Sequence, residues 1–389
     1  MKTIFTIVFF GIINMAIAQD DFFQPGSTIG GYGELHWNKA SNADGESTKN
    51  TIDFHRFIIY YGYNWTEKWS FKSEVELEHN FVSDGEGKLE LEQAFVNYHA
   101  GNWGFQGGVI LPTAGLLNEY HEPPLFLSVE RPLYSKYIIP TTWFGNGFAF
   151  YGNRSGFNFR LALLEDLNGD GIAKDGHIRG GRGKGFKTTG ESLTKNISAS
   201  YTGINGLRIG GSFTMNDAPT TAVKAETIHT WEYTQTAGAD TEDDASDDDW
   251  EWGDKMNVIE GTEAGSIGVS LFEINAKYNA NKIFAVFEYG KSDFKGNNTN
   301  DFTDFSSSGY YLDLGYDIGS MINCNKLISW IRISNVSKND DDVSKQTDYL
   351  RFGLTWWPIN DVAFKTDFAN LTAKDETTTE FNIGIGYNF

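Results

Sequence analysis

The last nine residues of the chain, Phe381-Asn382-Ile383-Gly384-Ile385-Gly386-Tyr387-Asn388-Phe389, alternate between bulky apolar and small polar side chains. Because a strand repeats every two residues, the large side chains share one face and the small polar ones share the other. In a soluble sandwich the apolar face would pack on a second sheet. In an outer-membrane barrel it would face lipid, and the polar face would line a water-filled lumen. The rest of the chain decides between these two architectures.

The same alternation recurs along the whole chain and predicts about sixteen strands, an even number as in bacterial single-chain barrels. The predicted strands are 27–38, 51–65, 69–79, 89–99, 103–111, 143–151, 156–166, 193–201, 207–215, 266–278, 282–291, 309–319, 326–336, 348–357, 361–370 and 378–389.

The connections between these strands alternate between short turns and long polar loops, as in outer-membrane barrels with their long loops outside the cell. The predicted long loops are 39–50, 80–88, 112–142, 167–192, 216–265, 292–308, 337–347 and 371–377. Tryptophans near the short-turn side predict an interfacial girdle; they are Trp65, Trp69, Trp103, Trp356 and Trp357. We therefore predict an all-β, transmembrane antiparallel barrel.

The amino terminus and the charge balance fit an exported chain. Met1-Lys2, an apolar run over 4–13 and Ala16-Ile17-Ala18 predict a signal peptide at 1–18, with the barrel domain at 19–389. The net charge of -21 argues against a nucleic-acid partner. Cys324 is the one cysteine, so no disulfide framework is expected.

The inward faces of the predicted strands carry charges of both signs in near-equal number, which predicts a water-filled pore with weak ion preference. The predicted pore-lining residues are Glu34, Arg56, Lys72, Glu74, Glu76, Arg160, Arg208, Glu288, Arg332 and Arg351. Further inward charges are expected at Glu78, Glu273, Asp313, Asp367, Lys277 and Lys365.

The predicted loop 112–142 differs from the other loops, since it holds five of the eight prolines together with many apolar residues. A loop of this kind favours burial, and the inner wall of the barrel offers the surface. We expect it to fold inward and form the constriction, although packing on the rim is an alternative. Its candidate constriction residues are Glu119, His121, Glu122, Glu130 and Arg131.

Several motifs resemble those of the phosphate-selective porin family. They are Gly31-Tyr32-Gly33-Glu34-Leu35-His36, Asp53-Phe54-His55-Arg56 and Trp69-Ser70-Phe71-Lys72-Ser73-Glu74-Val75-Glu76, while Glu122 to Trp143 resembles the Bacteroidetes members. The resemblance covers roughly the first 165 residues and continues beyond them only as a strand pattern. It implies a sixteen-stranded outer-membrane porin whose inner loop narrows an anion pore, possible substrates including phosphate.

Two other segments suggest cation chemistry. Asp166, Asn168 and Asp170 have the spacing of the first half of an EF-hand loop, which makes them candidate Ca²⁺ ligands, but position twelve is His177 rather than glutamate. The alternative is a turn rich in aspartate and asparagine. The acidic segment Asp240–Asp254 predicts a solvated loop tip or a cation bridge to surface polysaccharide. No motif links a histidine to a nucleophile, so we expect no enzyme activity.

The sequence thus predicts a porin in the outer membrane of a Gram-negative bacterium, passing small hydrophilic solutes or ions by passive diffusion. Its expected partners are outer-membrane lipid and lipopolysaccharide, and a homotrimer is the expected assembly. The alternative is an adhesin or assembly component that the barrel only anchors. An inward-folded loop and a charged interior would favour the porin, because an anchor needs neither.

Overall fold

The structure is a computed structural model that describes residues 23–83, 86–186, 188–235, 250–299, 302–374 and 376–389. Side chains are described in these ranges except at 86 and 222–264. The predicted signal peptide lies outside the described residues. So does most of the acidic segment, of which only the backbone of 250–254 is described.

In the described part of the chain, sixteen strands form one closed antiparallel barrel in which each strand pairs with its neighbours in sequence. The strands are β1 Gly26–Ser41, β2 Ser47–Asn64, β3 Trp69–Ser83, β4 Glu86–Ala100, β5 Trp103–Ile110, β6 Gly145–Arg154, β7 Phe157–Leu164, β8 Thr194–Ile204, β9 Leu207–Gln235, β10 Trp250–Ala280, β11 Ile283–Asn297, β12 Phe305–Asp317, β13 Leu327–Ser337, β14 Gln346–Ile359, β15 Val362–Ala373 and β16 Glu376–Asn388. The predicted fold class and strand number are confirmed.

The barrel closes where the first strand meets the last. Tyr32 lies opposite Asn388 in the register, and the N–H of Phe389 donates to the carbonyl of Gly31 at 2.9 Å. The N–H of Gly31 donates back to the Phe389 carbonyl at 3.0 Å. The Phe389 ring also stacks on Phe57 of β2, with 5.7 Å between ring centroids. Closure pairs the backbone edges of both terminal strands, as a membrane-spanning sheet requires.

The outer surface carries the apolar side chains that the alternation assigns to lipid. Phe159, Phe352 and Phe368 are each about half exposed although they lie at the middle of their strands. Near the short turns, aromatic rings form the predicted girdle, for example Trp69 with Tyr98 at 4.8 Å between centroids. Trp357 was expected in this girdle, and that expectation is wrong. It is buried inside the barrel, because its neighbour Trp356 occupies the outward position.

Some predicted loops are in fact strand. β1 and β2 leave only 42–46 between them, and β15 and β16 leave only 374–375. The predicted loop 216–265 holds the extensions of β9 and β10, which pair with each other up to Gln235 and Trp250. Backbone pairing continues here into a polar segment because the hydrogen bonds of a sheet join backbone groups and do not depend on apolar side chains.

Two long connections carry short helices. The connection 111–144 contains α1 Leu116–Glu119 and α2 Tyr134–Tyr137, and the connection 165–193 contains α3 Gly169–Asp175. Single 3-10 turns occur at Pro123–Leu125, Ile178–Gly181, Gly319–Met321 and Val343–Lys345. Within the described ranges, the helices are too short and too polar to cross a membrane.

Removing Phe389, or the change Phe389→Asp, should lower the amount of assembled barrel. Either change removes the stacking on Phe57, and the deletion also removes the hydrogen bonds with Gly31 that close the sheet. The heat-modifiable fraction in outer-membrane preparations, read by gel mobility, measures assembly. Val343→Asp adds the same charge at an exposed loop position and should leave it unaltered. A normal heat-modifiable fraction in both Phe389 variants would show that this contact is dispensable.

Candidate functional site

The connection 111–144, here called the inner loop, folds into the lumen as predicted. Its apolar residues are buried, including Leu127, Ile138 and Ile139 at 2% exposure or less, and they pack against inward residues of the wall such as Leu271 and Trp330. Leu125 is an exception, with 37% of its surface exposed. Burial of these apolar groups stabilises the inward position of the loop by about 25 cal/mol for each Å² of apolar surface that is removed from water.

The wall gives the loop room where the sequence places glycine. A Cβ added to Gly386 would lie 2.3 Å from Cβ of Pro123, and one added to Gly384 would lie 2.9 Å from a Val129 methyl. The small residues of the terminal strand were predicted to face water. Two of them instead allow close approach of the inner loop to β16.

Hydrogen bonds fasten the middle of the loop to the wall. The backbone N–H of Val129 donates to Asp367 at 2.7 Å, and Lys365 donates to the carbonyl of Ser128 at 2.9 Å. Arg332 donates to the Ser128 hydroxyl at 2.8 Å. These bonds join residues more than 200 positions apart in sequence, so the loop position depends on strands β13 to β15.

The start of the loop bridges opposite walls of the barrel. The N–H of Leu116 donates to Glu288 of β11, and Nε2 of His121 lies 3.2 Å from Glu74 of β3. β3 and β11 are eight positions apart in the closed ring, and are therefore diametrically opposed. The loop thus divides the cross-section of the lumen, instead of lining one side of it.

Most of the charges expected to line open water are buried and paired. Arg332 contacts both oxygens of Asp313, at 2.5 and 2.7 Å, and is 1% exposed. Arg351 pairs with the buried Asp367, and Arg56 lies 2.8 Å from Glu34. Sequence alternation places them on the inner face, but the docked loop removes water from around them. A buried ion pair keeps its charges only because each partner compensates the other.

Four bases of the wall are less deeply buried than most of the inward acids. Lys72, Arg160, Arg208 and Lys277 are only half-buried, and each lies within four residues of a short turn on the periplasmic side. Of the acids predicted to face inward, all but Glu78 are buried: Glu34, Glu74, Glu76, Glu273, Glu288, Asp313 and Asp367. Other acids inside the barrel are half-buried, namely Glu90 and Glu380 of the wall and Glu119, Glu122 and Glu130 of the loop. The accessible wall is therefore basic in the periplasmic half of the lumen.

The candidate constriction residues differ in their surroundings. Glu119 pairs with Arg208 at 3.1 Å, and Arg131 donates to the carbonyl of His121 at 3.1 Å. Glu122 accepts from Tyr60 at 3.4 Å, and burial raises its pKa. Burial acts in the same direction on Glu130, but hydrogen bonding to His36 at 3.1 Å holds the pKa of Glu130 below its usual range.

Sequence reasoning missed Glu92, a fully buried carboxylate on β4. The register between β3 and β4 shifts by one residue, since Glu74 lies opposite Gln93 while Val75 lies opposite Leu91. This bulge leaves Glu92 out of the alternation. The period of two cannot detect such a residue, and its acidic side chain was the only signal.

The three candidate calcium ligands each accept hydrogen bonds from different donors, and calcium binding by them stays a prediction. Asp166 accepts hydrogen bonds from Asn216 at 2.9 Å and from Thr189 at 2.8 Å, and these and backbone donors hold its pKa below its usual range against the effect of burial. Asn168 caps the N-terminus of α3, accepting from the N–H of Gly171 at 2.8 Å. Asp170 accepts from Thr221. Their oxygens therefore organise the connection 165–193.

Comparison with known sequences gives a partial match. No family model matches the chain. An uncharacterized protein of Aquifex aeolicus (strain VF5) is 41% identical over 148 residues, which is 37% of this chain and 33% of that protein. The chain thus spans about one third of the length of this curated relative. Membership of the phosphate-selective porin family stays a prediction.

Comparison with solved structures identifies the fold. An anion-selective porin from Comamonas acidovorans superposes with a TM-score of 0.61, 11% identity and coverage of 94% of this chain and 100% of that one. OmpF of Salmonella typhi, in complex with daunomycin, superposes with a TM-score of 0.57 and 14% identity, and the match covers 93% of this chain and 97% of that one. OmpT, an in-vitro folded outer membrane protein of Vibrio cholerae in its trimer form, superposes with a TM-score of 0.57 and 11% identity. This match covers 93% of this chain and 99% of that one.

The chain has the fold of the outer-membrane porins. A closed barrel with an apolar outward band cannot remain in water, and the outer membrane of Gram-negative bacteria is where barrels of this architecture insert. The protein is therefore a transmembrane barrel of a Gram-negative outer membrane, as the sequence predicted.

The variant Arg332→Met should destabilise the barrel, because it leaves Asp313 buried without its cation and frees Ser128 of the inner loop. A loss of about 3–5 kcal/mol in unfolding free energy is expected for such a broken pair. Urea unfolding in detergent micelles, followed by tryptophan fluorescence, measures it. Lys291→Met removes a partly exposed pair at 3.8 Å and should cost less than about 1 kcal/mol. Equal losses in the two variants would contradict the ranking.

Proposed function

We propose that the protein is a general porin, which passes small hydrophilic solutes or ions through a narrow water-filled path beside the inner loop. The observation that carries this proposal is the docked loop itself, which bridges β3 and β11 and reduces a wide barrel to a narrow one. A barrel that only anchors surface loops has no need of such a constriction. The likeness in fold to porins supports a channel rather than an enzyme.

We propose further that this path favours anions, phosphate among them. The bases Lys72, Arg160, Arg208 and Lys277 of the wall are only half-buried, whereas most acids of the inward strand faces are fully buried. One of these bases, Arg208, pairs with the half-buried Glu119 of the loop. Charges in contact with water set the potential along a pore, while buried ion pairs cancel locally. Counting inward charges from the sequence predicts weak ion preference, but it gives accessible and buried groups equal weight.

The proposed assembly is a homotrimer embedded in outer-membrane lipid and lipopolysaccharide. OmpT of Vibrio cholerae, one of the structures of similar fold, is described in a trimer form. The half-exposed Phe159, Phe352 and Phe368 would contact acyl chains or a neighbouring copy. Mass measurement of the protein in lipid nanodiscs tests this assembly.

A second function, as a surface-binding protein, is favoured by the hairpin of β9 and β10. β8 pairs with β9 only as far as Met215, and β11 pairs with β10 only from Ser266. The backbone of β9 and β10 continues beyond these points as a two-stranded ribbon, whose base contacts the connection 165–193 through the bonds of Asn216 to Asp166 and of Thr221 to Asp170. Membrane crossing needs strands of only about 9–11 residues, so the rest of this ribbon is available to contact a partner at the surface.

Replacing residues 114–140 with a short Gly-Ser linker should raise the single-channel conductance several-fold, because it removes the segment that divides the lumen. Planar-bilayer recording measures the conductance. Shortening the rim connection within 341–344, which keeps the contact of Lys338 with Tyr137 of the inner loop, provides a control that should leave conductance unchanged. Conductance unaltered by the inner-loop deletion would show that this loop is not the constriction. Absence of any channel from the folded wild type would favour the surface-binding function.

The wild-type channel should be more permeable to chloride than to potassium, and the double variant Lys72→Gln/Lys277→Gln should bring the permeability ratio toward one. The reason is the loss of two accessible positive charges from the wall. The reversal potential under a KCl gradient measures the ratio. Lys345→Gln, at an exposed loop position, should not change it. A wild-type preference for potassium would reject the proposed anion pathway while leaving the porin function intact.

A further inference from the structure

Three potential metal ligands from three separate elements meet where the inner loop touches the wall. They are Glu74 of β3, Glu92 of β4 and His121 of the inner loop, and each is 2% exposed or less. Their ligand atoms all lie within 4.8 Å of one another. The porin function assigns no role to this group.

The spacing of these atoms fits coordination of one ion. Nε2 of His121 lies 3.2 Å from Oε1 of Glu74 and 3.8 Å from Oε2 of Glu92. Ligands about 2.1 Å from a tetrahedral Zn²⁺ would be about 3.4 Å apart. The two observed distances fall on either side of that value.

The surrounding hydrogen bonds orient the ligands toward a common point. Nδ1 of His121 lies 3.2 Å from the carbonyl of Asn118, so this nitrogen must carry the proton. Gln93 donates to Oε2 of Glu74 at 2.5 Å, and the Thr142 hydroxyl donates to Oε1 of Glu92. Metal-binding histidines and carboxylates are usually held by outer partners of this kind.

Among Glu74, Glu92 and His121, hydrogen-bond acceptors outnumber the donors that face them. With its proton on Nδ1, a neutral His121 presents a lone pair at Nε2 to two carboxylates. Oε2 of Glu92 is buried and has no hydrogen-bond partner among the described residues. Oε1 of Glu74 has a weak one, the Tyr32 hydroxyl at 3.5 Å. Either a metal ion or a proton, on Nε2 or on one of the two carboxyl groups, would offset the repulsion between these acceptors.

The neighbouring arginines are occupied elsewhere. Arg56 lies 2.8 Å from Glu34 and 3.4 Å from Glu76, and Arg131 donates to the backbone of His121. Their ion pairs and hydrogen bonds thus go to groups other than the carboxylates of Glu74 and Glu92.

We propose that Glu74, Glu92 and His121 bind one divalent first-row transition-metal ion such as Zn²⁺, which fastens the inner loop to the wall. Imidazole nitrogen with two carboxylate oxygens is a donor set that suits Zn²⁺ and its neighbours in the series. With three protein ligands, a fourth position remains for water. The ion would join two wall strands to a loop residue, and its binding is independent of which solute the channel passes.

The test is metal content after refolding. The full chain is refolded into detergent with equimolar ZnCl₂ or with a chelator, passed through gel filtration, and assayed by mass spectrometry for zinc. Wild type should retain one zinc per chain. Glu92→Gln and His121→Gln should bind zinc at least about tenfold more weakly. Glu122→Gln changes a neighbouring buried carboxylate and should keep full zinc content.

A second variant distinguishes another cluster, the partly exposed Asp53, His55 and His79. His55→Gln/His79→Gln should leave zinc content unchanged. Zinc lost only in this variant, zinc unaltered in both Glu92→Gln and His121→Gln, or folded wild type without zinc would each overturn the proposal, the last showing that a proton takes the place of the metal.

Should Glu92→Gln and His121→Gln fail to give the heat-modifiable barrel, wild type and His55→Gln/His79→Gln are refolded with Co²⁺ instead. Intense visible absorption from four- or five-coordinate Co²⁺ in both proteins supports the site. Its absence from either protein overturns it.

Discussion

The rest of the structure depends on one constraint, which is that no backbone N–H or carbonyl can remain unpaired in hydrocarbon. The bonds between Gly31 and Phe389 satisfy it by joining the ends of the sheet. Once the barrel is closed, every strand has one face toward lipid and one toward the lumen. Because side chains alternate between the two faces, the position of a residue along its strand decides which face it joins. The polar half of the sequence must then be accommodated inside, where its charges need either water or partners.

The inner loop also decides how deeply the inward charges are buried. Where it docks on β13 to β15, buried charges contact each other or atoms of the loop, as for Arg332 with Asp313 and Ser128. Such buried pairs add little net stability, yet any mismatch is costly, so they specify one position of the loop. Nearer the short turns, Lys72 and Lys277 are only half-buried. Constriction and electrostatics thus have a common origin.

Much of the fold was predictable from the sequence, because the alternation of apolar and polar residues along a strand can be seen in a short stretch of sequence. The strand number, the lipid face and the inward loop follow from alternation and from the prolines and apolar residues of 112–142. Properties that depend on pairing were not predictable. The bulge beside Glu74 brings Glu92 inside the barrel. Of the adjacent Trp356 and Trp357, only one can point outward, and Trp357 is buried. Asp166 accepts a hydrogen bond from Asn216, which is distant in sequence. The strand extensions of β9 and β10 were missed because the polar composition of 216–265 predicts a loop, whereas the observed pairing is between backbone groups.

The glycines of β16 link barrel closure to the docking of the inner loop. Gly384 and Gly386 admit Val129 and Pro123 at distances that any side chain would prevent. The strand that closes the barrel is therefore also the strand that the inner loop approaches most tightly. A side chain larger than glycine at either position would oppose the docking of the loop and the pairing of β16 in register at the same time.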